Sequence, residues 1–98
     1  QGRARGVIIR WSRLARADVD RLADFVASYD SGRADEVERR LNQAPKKLLQ
    51  FPRRGSRLSD FDPREVREFR VGDYLLRYEL TGSDIFVLRF FRGRENRF

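Results

Sequence analysis

Two alternating runs separated by two turn-forming residues constrain the fold of this chain more than any other feature. The runs Glu65–Val71 and Tyr74–Leu80 flank the pair Gly72-Asp73, and a glycine-containing pair in this position is typical of a two-residue β-hairpin. Such a turn fixes the register, because residues equidistant from it must face each other. The predicted pairs are Val71–Tyr74, Arg70–Leu75, Phe69–Leu76, Glu68–Arg77, Arg67–Tyr78 and Val66–Glu79.

A third run, Ile85–Phe91, follows a four-residue turn and predicts an antiparallel meander. The turn length predicts the pairs Tyr74–Phe91, Leu76–Arg89 and Tyr78–Val87. One face of the sheet is then mostly apolar and is expected to pack on helices: Phe69, Val71, Tyr74, Leu76, Tyr78, Leu80, Ile85, Val87 and Phe91. The other face mixes charges with Leu75, Phe86, Leu88 and Phe90, so we expect the C-terminal tail or a partner to cover it.

The N-terminal half predicts a strand and a first helix. Val7–Trp11 is a short apolar run typical of a strand, and Ser12 is suited to cap the helix that follows it. Apolar residues then recur at spacings of three and four and predict a helix over Arg13–Tyr29. Leu14 and Phe25 broaden its apolar stripe.

A second helix is predicted over Arg33–Leu49 after a turn at residues 30–32. Pro45 lacks a backbone donor, so we expect a kink or an early end near Asn42. The short turn between the helices favours an antiparallel hairpin. A short edge strand is expected at residues 57–60.

Together these elements predict an α+β, two-layer domain: an N-terminal strand, an antiparallel two-helix hairpin, then an antiparallel meander of three to four strands. The chain of 98 residues suits a single domain, expected over residues 7–98. Residues 1–6 are expected to be flexible or vector-derived, since the sequence starts at Gln1 and contains no Met. No stretch approaches the roughly 20 apolar residues of a membrane span and no signal peptide is evident, so we expect a cytoplasmic protein without membrane contact.

The absence of cysteine and histidine restricts the chemistry of the chain. It excludes disulfides, thiolate zinc sites, thiol nucleophiles and serine–histidine hydrolases. Any catalysis must use Arg, Lys, Tyr, Asp or Glu. We expect no cofactor and no metal.

Arginine dominates the charge, with 20 Arg against 2 Lys and a formal net charge of +7. Guanidinium groups fork onto phosphates and carboxylates, which indicates an acidic partner: nucleic acid or an acidic protein segment. High-GC coding would also favour Arg over Lys. A generic nucleic-acid-binding domain is the weakest interpretation, because acids are interspersed among the arginines.

Several segments occur in a characteristic order and spacing: Val7–Ser12, Ala17-Asp18, Leu22 to Tyr29, Leu48–Gly55, Arg67–Tyr78 and Leu88–Arg97. In this order they resemble the RelE/ParE superfamily of toxins from bacterial type II toxin–antitoxin modules, including those for plasmid stabilisation. The resemblance implies a two-helix hairpin on a small antiparallel sheet, with the first strand beside the last. It also implies an acidic antitoxin as partner and a toxin–antitoxin hetero-oligomer.

The superfamily divides by mechanism. RelE-like members resemble ribosome-dependent mRNA endoribonucleases, whereas ParE-like members poison DNA gyrase. RNA cleavage needs a proton acceptor, a proton donor and positive charge. A nuclease of this sequence would use Arg67, Arg77, Arg89, Arg92 and Glu95. Arginine cannot accept the proton, and the C-terminal tail lacks the His or Tyr that the resemblance implies for RelE-like members, so we favour the ParE-like branch. Arg92 stands where many relatives of either branch have His.

A partner-binding role is predicted for seven residues by the resemblance and by the mixed sheet face: Arg53, Arg54, Arg89, Phe90, Arg92, Arg94 and Arg97. Ion pairing is the alternative for several arginines, chiefly between Arg77 and Glu68. Two functional alternatives remain open beside gyrase inhibition: a ribosome-dependent mRNA endoribonuclease, and a degenerate member that only binds its antitoxin.

Overall fold

The structure, a computed structural model, describes residues 6–93 and confirms the α+β prediction. The strands are β1 (Ile9–Trp11), β2 (Ser56–Arg57), β3 (Glu65–Val71), β4 (Tyr74–Thr81) and β5 (Asp84–Arg92), and the helices are α1 (Arg13–Ala27) and α2 (Ser31–Gln43). The sheet order is β1-β5-β4-β3-β2, in which β1 runs parallel to β5 and the other pairs are antiparallel. The predictions for residues 1–5 and for Arg94, Glu95, Arg97 and Phe98 lie outside the described residues.

Side-chain caps begin both helices. The Ser12 hydroxyl accepts a hydrogen bond from the Ala15 backbone N–H at 3.0 Å, and Asp30 caps α2 in the same way through Arg33. Helix α2 ends at Gln43 and continues as a 3-10 helix over Ala44–Leu48, as the proline at position 45 predicts. No helix within residues 6–93 is long and apolar enough to cross a membrane.

The β3–β4 hairpin has the predicted register at every pair from Val71–Tyr74 to Val66–Glu79. Gly72 in the turn has a φ of 60°, which glycine adopts without the steric penalty that a side chain would bring. The edge strand β2 is Ser56–Arg57, which begins one residue before the expected range 57–60 and ends three residues before the end of that range, because a 3-10 turn follows at Ser59–Phe61.

A β-bulge in β5 changes the predicted register of the β4–β5 pair. Tyr78 faces Val87 as predicted, but Arg77 faces Arg89, so Leu88 is an extra residue without its own partner. From there to the strand end the predicted pairs are wrong by one residue. Tyr74 faces Arg92 instead of Phe91, and Leu76 faces Phe90 instead of Arg89.

The core lies between the helical hairpin and one sheet face, as predicted. It combines residues of α1, α2, the 3-10 helix and the inner face of the sheet: Ala15, Val19, Leu22, Leu41, Ala44, Leu48, Val71, Leu76, Tyr78, Ile85, Val87 and Phe90. Because of the bulge, Phe90 takes the inward position predicted for Phe91, and its ring lies 5.4 Å from that of Trp11.

The opposite sheet face is covered in part by a segment of the chain other than the predicted tail. The 3-10 turn Ser59–Phe61 precedes β3, and Leu58 donates to the Val66 carbonyl at 2.8 Å. Val66, Leu75 and Phe91 of this face are all buried. Arginine side chains pack on its aromatic rings, and a sheet face that is half charged can therefore still exclude water.

Candidate functional site

Asp18 connects α1 to the end of β5. Its side chain is 4% exposed. The carboxylate accepts hydrogen bonds from the Phe90 backbone N–H at 2.9 Å and from the Arg89 guanidinium at 2.7 and 3.0 Å. Arg21, one turn along α1, adds a longer contact at 3.3 Å. The bulged residue immediately precedes Arg89, and bulges commonly re-aim neighbouring side chains.

Glu65 joins two of the arginines singled out in the sequence. Arg53 donates to its carboxylate through two bonds, at 2.7 and 2.9 Å, and Arg67 donates at 2.9 Å. The hydrogen bonds from Arg53 and then Arg67 lower the pKa of Glu65 from 4.5 to about 2. This carboxylate therefore stays ionised at any physiological pH and cannot accept a proton.

The loop before β2 is fixed to the sheet by Tyr78 and Arg67. The buried Tyr78 hydroxyl donates to the Pro52 carbonyl at 2.6 Å and accepts from the Gly55 N–H at 3.1 Å. Arg67 donates to the Gly55 carbonyl at 2.6 Å. A Cβ at Gly55 would lie 2.7 Å from the tyrosine oxygen, so this approach requires a residue without a side chain. The loop is thus a rigid support for Arg53.

Arg77 lies on the opposite sheet face in an aromatic and ionic setting. It donates to Glu68 at 2.8 and 3.1 Å, which is the ion pair predicted as its alternative role. Its guanidinium carbon is 5.3 Å from the centre of the Phe61 ring and 5.0 Å from that of Phe91. Arg89 contacts the same Phe91 ring at 4.9 Å. Cation–π contacts of this kind hold guanidinium groups against a hydrophobic surface.

An aromatic depression lies where the helical hairpin meets the end of the sheet. Phe25 and Tyr29 are 51% and 63% exposed, and their rings meet edge to face at 5.9 Å. Arg92 lies over the Phe25 ring at 4.5 Å. The depression has a volume of about 170 Å³, and charges of both signs line it: Arg33, Glu36, Arg40, Asp73 and Arg92.

Sequence reasoning missed the exposure of these two aromatic residues. The helical spacing places Leu14 and Phe25 beside the apolar stripe of α1 and Tyr29 at its end, but all three residues are more than half exposed. The buried apolar residues of α1 are Ala15, Val19, Leu22, Ala23 and Val26. A helical projection separates Phe25 from that stripe, whereas Tyr29 lies beyond the end of α1 at Ala27.

The predicted partner-binding residues fall in different environments. Arg53 and Arg54 are exposed, and Arg54 lies over the Phe69 ring at 4.7 Å. Arg92 belongs to the aromatic depression, and Arg89 is held by the buried carboxylate of α1. The prediction that Phe90 lies on the outer sheet face is wrong, because the bulge turns this side chain into the core, where it is fully buried.

The nuclease candidates that the structure describes, Arg67, Arg77, Arg89 and Arg92, do not converge on one cleft. Arg77 and Arg89 share the outer face, whereas Arg67 pairs directly with the core residue Tyr78 and so lies on the inner face. Burial raises the pKa of Tyr78 and also, with smaller effects from Tyr29 and Asp73, that of Tyr74. Both phenols thus keep their protons at neutral pH.

Known proteins share this fold. A search among curated proteins found no match. A solved structure described as the chromosomal ParDE TA system from P. aeruginosa is similar with a TM-score of 0.73 and 22% identity, over 88% of this chain and 95% of that one. A conserved hypothetical protein from Helicobacter pylori is similar with a TM-score of 0.56 and 20% identity, over 91% and 97% of the two chains. The family model described as "ParE toxin of type II toxin-antitoxin system, parDE" matches residues 9–97. The chain therefore belongs to the ParE toxin family of type II toxin–antitoxin systems.

Proposed function

We propose that the chain is a cytoplasmic toxin that inhibits DNA gyrase by binding to it, without breaking bonds itself. A cognate acidic antitoxin neutralises it within a hetero-oligomer. Membership of the ParE family supports the toxin role, and the chemistry of the arginines favours binding over RNA cleavage.

The observation that carries this choice is that three of the nuclease candidates form ion pairs. Arg67 is bound to Glu65, Arg77 to Glu68 and Arg89 to Asp18. An ion pair offsets the positive charge that a pentavalent phosphate would need. The depressed pKa of Glu65 and the raised pKa values of Tyr74 and Tyr78 leave these groups unsuited to accept a proton.

The aromatic depression is the surface that best suits the antitoxin. Exposed rings at Phe25 and Tyr29 supply apolar area, and Arg33 and Arg92 supply donors for carboxylates. A disordered acidic segment gains affinity by folding onto such a surface, because it buries apolar side chains and forms ion pairs together. Aromatic and arginine residues are also the types that most often dominate binding energy.

The decisive experiment measures DNA supercoiling by purified gyrase in the presence of the purified chain, beside a translation extract programmed with one mRNA. We expect loss of supercoiling at stoichiometric concentrations of the chain and intact mRNA in the extract. The matched variant Arg67→Lys keeps the positive charge at position 67 but removes the guanidinium. A fall in mRNA cleavage in this variant would therefore identify cleavage that depends on the Arg67 guanidinium.

Specific cuts in ribosome-bound mRNA, reduced by Arg67→Lys, together with unimpaired supercoiling would refute gyrase inhibition and favour the endoribonuclease. If neither activity appears while the chain still binds the product of an adjacent acidic reading frame, the chain is a degenerate member. Both results would contradict the proposed target and leave the family unchanged.

A further inference from the structure

The positive charge of this chain is concentrated in one stretch. No Asp or Glu occurs between Glu38 and Asp60, and this stretch, the basic segment (residues 39–59), contains seven cations: Arg39, Arg40, Lys46, Lys47, Arg53, Arg54 and Arg57. Seven is also the formal net charge of the whole chain, so the remaining 15 cations equal the 15 acids. Charges that look scattered along the sequence therefore leave one strongly positive segment and a neutral remainder.

The fold brings most cations of the basic segment into two neighbouring depressions. Arg39, Arg40 and Lys47 line one shallow depression at the end of α2, and Glu36 is the single acid that lines it with them. Phe51, Arg53 and Arg54 line a second one. A hydrogen bond of 3.3 Å from Arg54 to the Lys47 carbonyl connects the two.

Four cations of this surface are available to a ligand. Arg39, Arg40, Lys46 and Lys47 are exposed, and no ion pair joins them to another residue within residues 6–93. Arginines at the end of α2 also suit the helix dipole, but that effect is confined to the last turn and does not account for the lysines beyond it.

Exposed apolar side chains lie among these cations. Leu49 is 44% exposed and Phe51 is 59% exposed. The Tyr78 hydroxyl holds the next residue, Pro52, through its carbonyl at 2.6 Å, so the Phe51 ring projects from a fixed backbone. A ring beside a row of cations is the arrangement with which proteins bind single-stranded nucleic acid, because bases stack on the ring and phosphates lie along the cations.

We propose that the basic segment binds single-stranded nucleic acid, with phosphodiester groups on Arg39, Arg40, Lys46 and Lys47 and a base stacked on Phe51. A partner protein with mixed charges fits the aromatic depression better, since Glu36 and Asp73 line that site. The four cations without an ion pair among the described residues, with Glu36 as the one acid that lines the depression at the end of α2, instead match a polymer that carries one negative charge per unit. This binding goes beyond gyrase inhibition and is independent of it, because free nucleic acid suffices to detect it.

Salt dependence gives the expected magnitude. Four phosphate contacts on a single strand predict a slope of about −2.8 for log K against log salt, which is a loss of about 50-fold between 50 and 200 mM salt. Lys46→Glu with Lys47→Glu removes two of the contacts. The remaining slope is about −1.4, or about a 7-fold loss over the same salt range.

The test is fluorescence anisotropy of the purified full chain with labelled 20-nucleotide single-stranded DNA, RNA of the same sequence and the DNA duplex, at both salt concentrations. The Lys46→Glu/Lys47→Glu variant is compared with Arg10→Glu/Arg13→Glu, which changes the net charge equally at exposed positions outside the segment. We expect about a 10-fold or greater loss at 50 mM salt for the lysine variant and about a 5-fold or greater loss for Phe51→Ala, whose salt slope stays that of the wild type. Circular dichroism melting verifies that each variant folds.

Several outcomes would overturn this assignment. One is an equal loss in the Arg10/Arg13 control, which would indicate attraction by net charge alone. Another is the absence of binding to DNA and RNA at 50 mM salt while a poly-glutamate peptide binds and loses affinity in the lysine variant, which would indicate an acidic protein partner. Tighter binding to the duplex than to either single strand would refute stacking on Phe51. The ratio of the affinities for single-stranded DNA and for RNA identifies which of the two polymers the surface prefers.

Discussion

Replacing Asp18 by alanine should destabilise the fold more than the removal of any other single charge on α1. The carboxylate is 4% exposed and receives three hydrogen bonds shorter than 3.1 Å, two from Arg89 and one from the Phe90 backbone. Alanine leaves the buried Phe90 N–H unsatisfied and removes the carboxylate that pairs with the Arg89 guanidinium. Both effects raise the free energy of the folded state.

The expected loss is about 3 kcal/mol. An unsatisfied buried N–H costs about 1–3 kcal/mol, and breaking a buried ion pair from one side costs about 3–5 kcal/mol. The lower end applies because the Arg89 side chain is 33% exposed and water can solvate it after the substitution. Arg21 adds little, since its side chain is 48% exposed and such pairs contribute about 0–1 kcal/mol.

Urea unfolding followed by circular dichroism measures this loss, which should lower Tm by about 12–24 °C for a domain of this size. The control is Asp20→Ala on the same helix, whose side chain is exposed and should change stability by no more than about 0.5 kcal/mol. Asp18→Asn should fall between the two, because the amide oxygen still accepts from Phe90 without the charge. A loss below about 1 kcal/mol in Asp18→Ala would refute the reasoning.

Three further changes test other parts of the structure. Gly55→Ala places a Cβ 2.7 Å from both the Glu68 carbonyl and the Tyr78 hydroxyl, so it should lower the free energy of unfolding in urea by about 1–3 kcal/mol. In the control Gly32→Ala the nearest atom is 3.7 Å away, so stability should stay the same or rise. Equal changes in stability for the two variants would contradict the predicted clash at Gly55. The pKa of Glu65 is lowered, so the stabilisation by its carboxylate is complete above the ordinary pKa of 4.5 and is lost as pH falls toward about 2. The difference in unfolding free energy between the wild type and Glu65→Gln should therefore shrink over that pH range. A difference that does not change with pH would refute this role of Glu65. Phe25→Ala with Tyr29→Ala should weaken antitoxin binding measured by calorimetry about 10-fold or more with little change in Tm, whereas unchanged affinity would exclude the aromatic depression as the antitoxin site.

Local chemistry explains why the hairpin and the caps could be predicted. Gly72-Asp73 and the alternation on both sides leave one register for β3 and β4. Ser12 marks the start of α1, because its side chain satisfies a backbone N–H donor in the first turn. Pro45 marks the end of α2, because it has no backbone N–H donor to continue the helix. Each of these signals acts over a few residues, so the sequence alone carries it.

The bulge could not be predicted because β5 is apolar on both faces. Between Ile85 and Phe91, only the charge of Arg89 and the sizes of the apolar side chains indicate which sheet face a residue occupies. Neither signal distinguishes a regular strand from one with an extra residue at Leu88. The exchange of Phe90 and Phe91 follows from that one residue.

The partners of the arginines were also beyond local reasoning. Arg89 meets Asp18 across 71 positions of the chain, and Arg53 meets Glu65 only after the loop folds back on β3. Only the predicted pair of Glu68 and Arg77 followed from the hairpin register. The sequence therefore singles out these arginines by residue type, whereas the partner of each one depends on tertiary contacts.

The way α1 lies against β5 has a consequence for self-association. The Val87 carbonyl is taken by the Ser12 N–H, the Leu88 carbonyl by the Ser12 hydroxyl, and the Phe90 N–H and carbonyl by Asp18 and Arg21. A strand from a neighbouring molecule thus finds these backbone groups already occupied where β5 extends past β1. Strand addition is blocked there by the protein's own first helix, and the two outermost strands in the described part of the sheet, β1 and β2, are only three and two residues long.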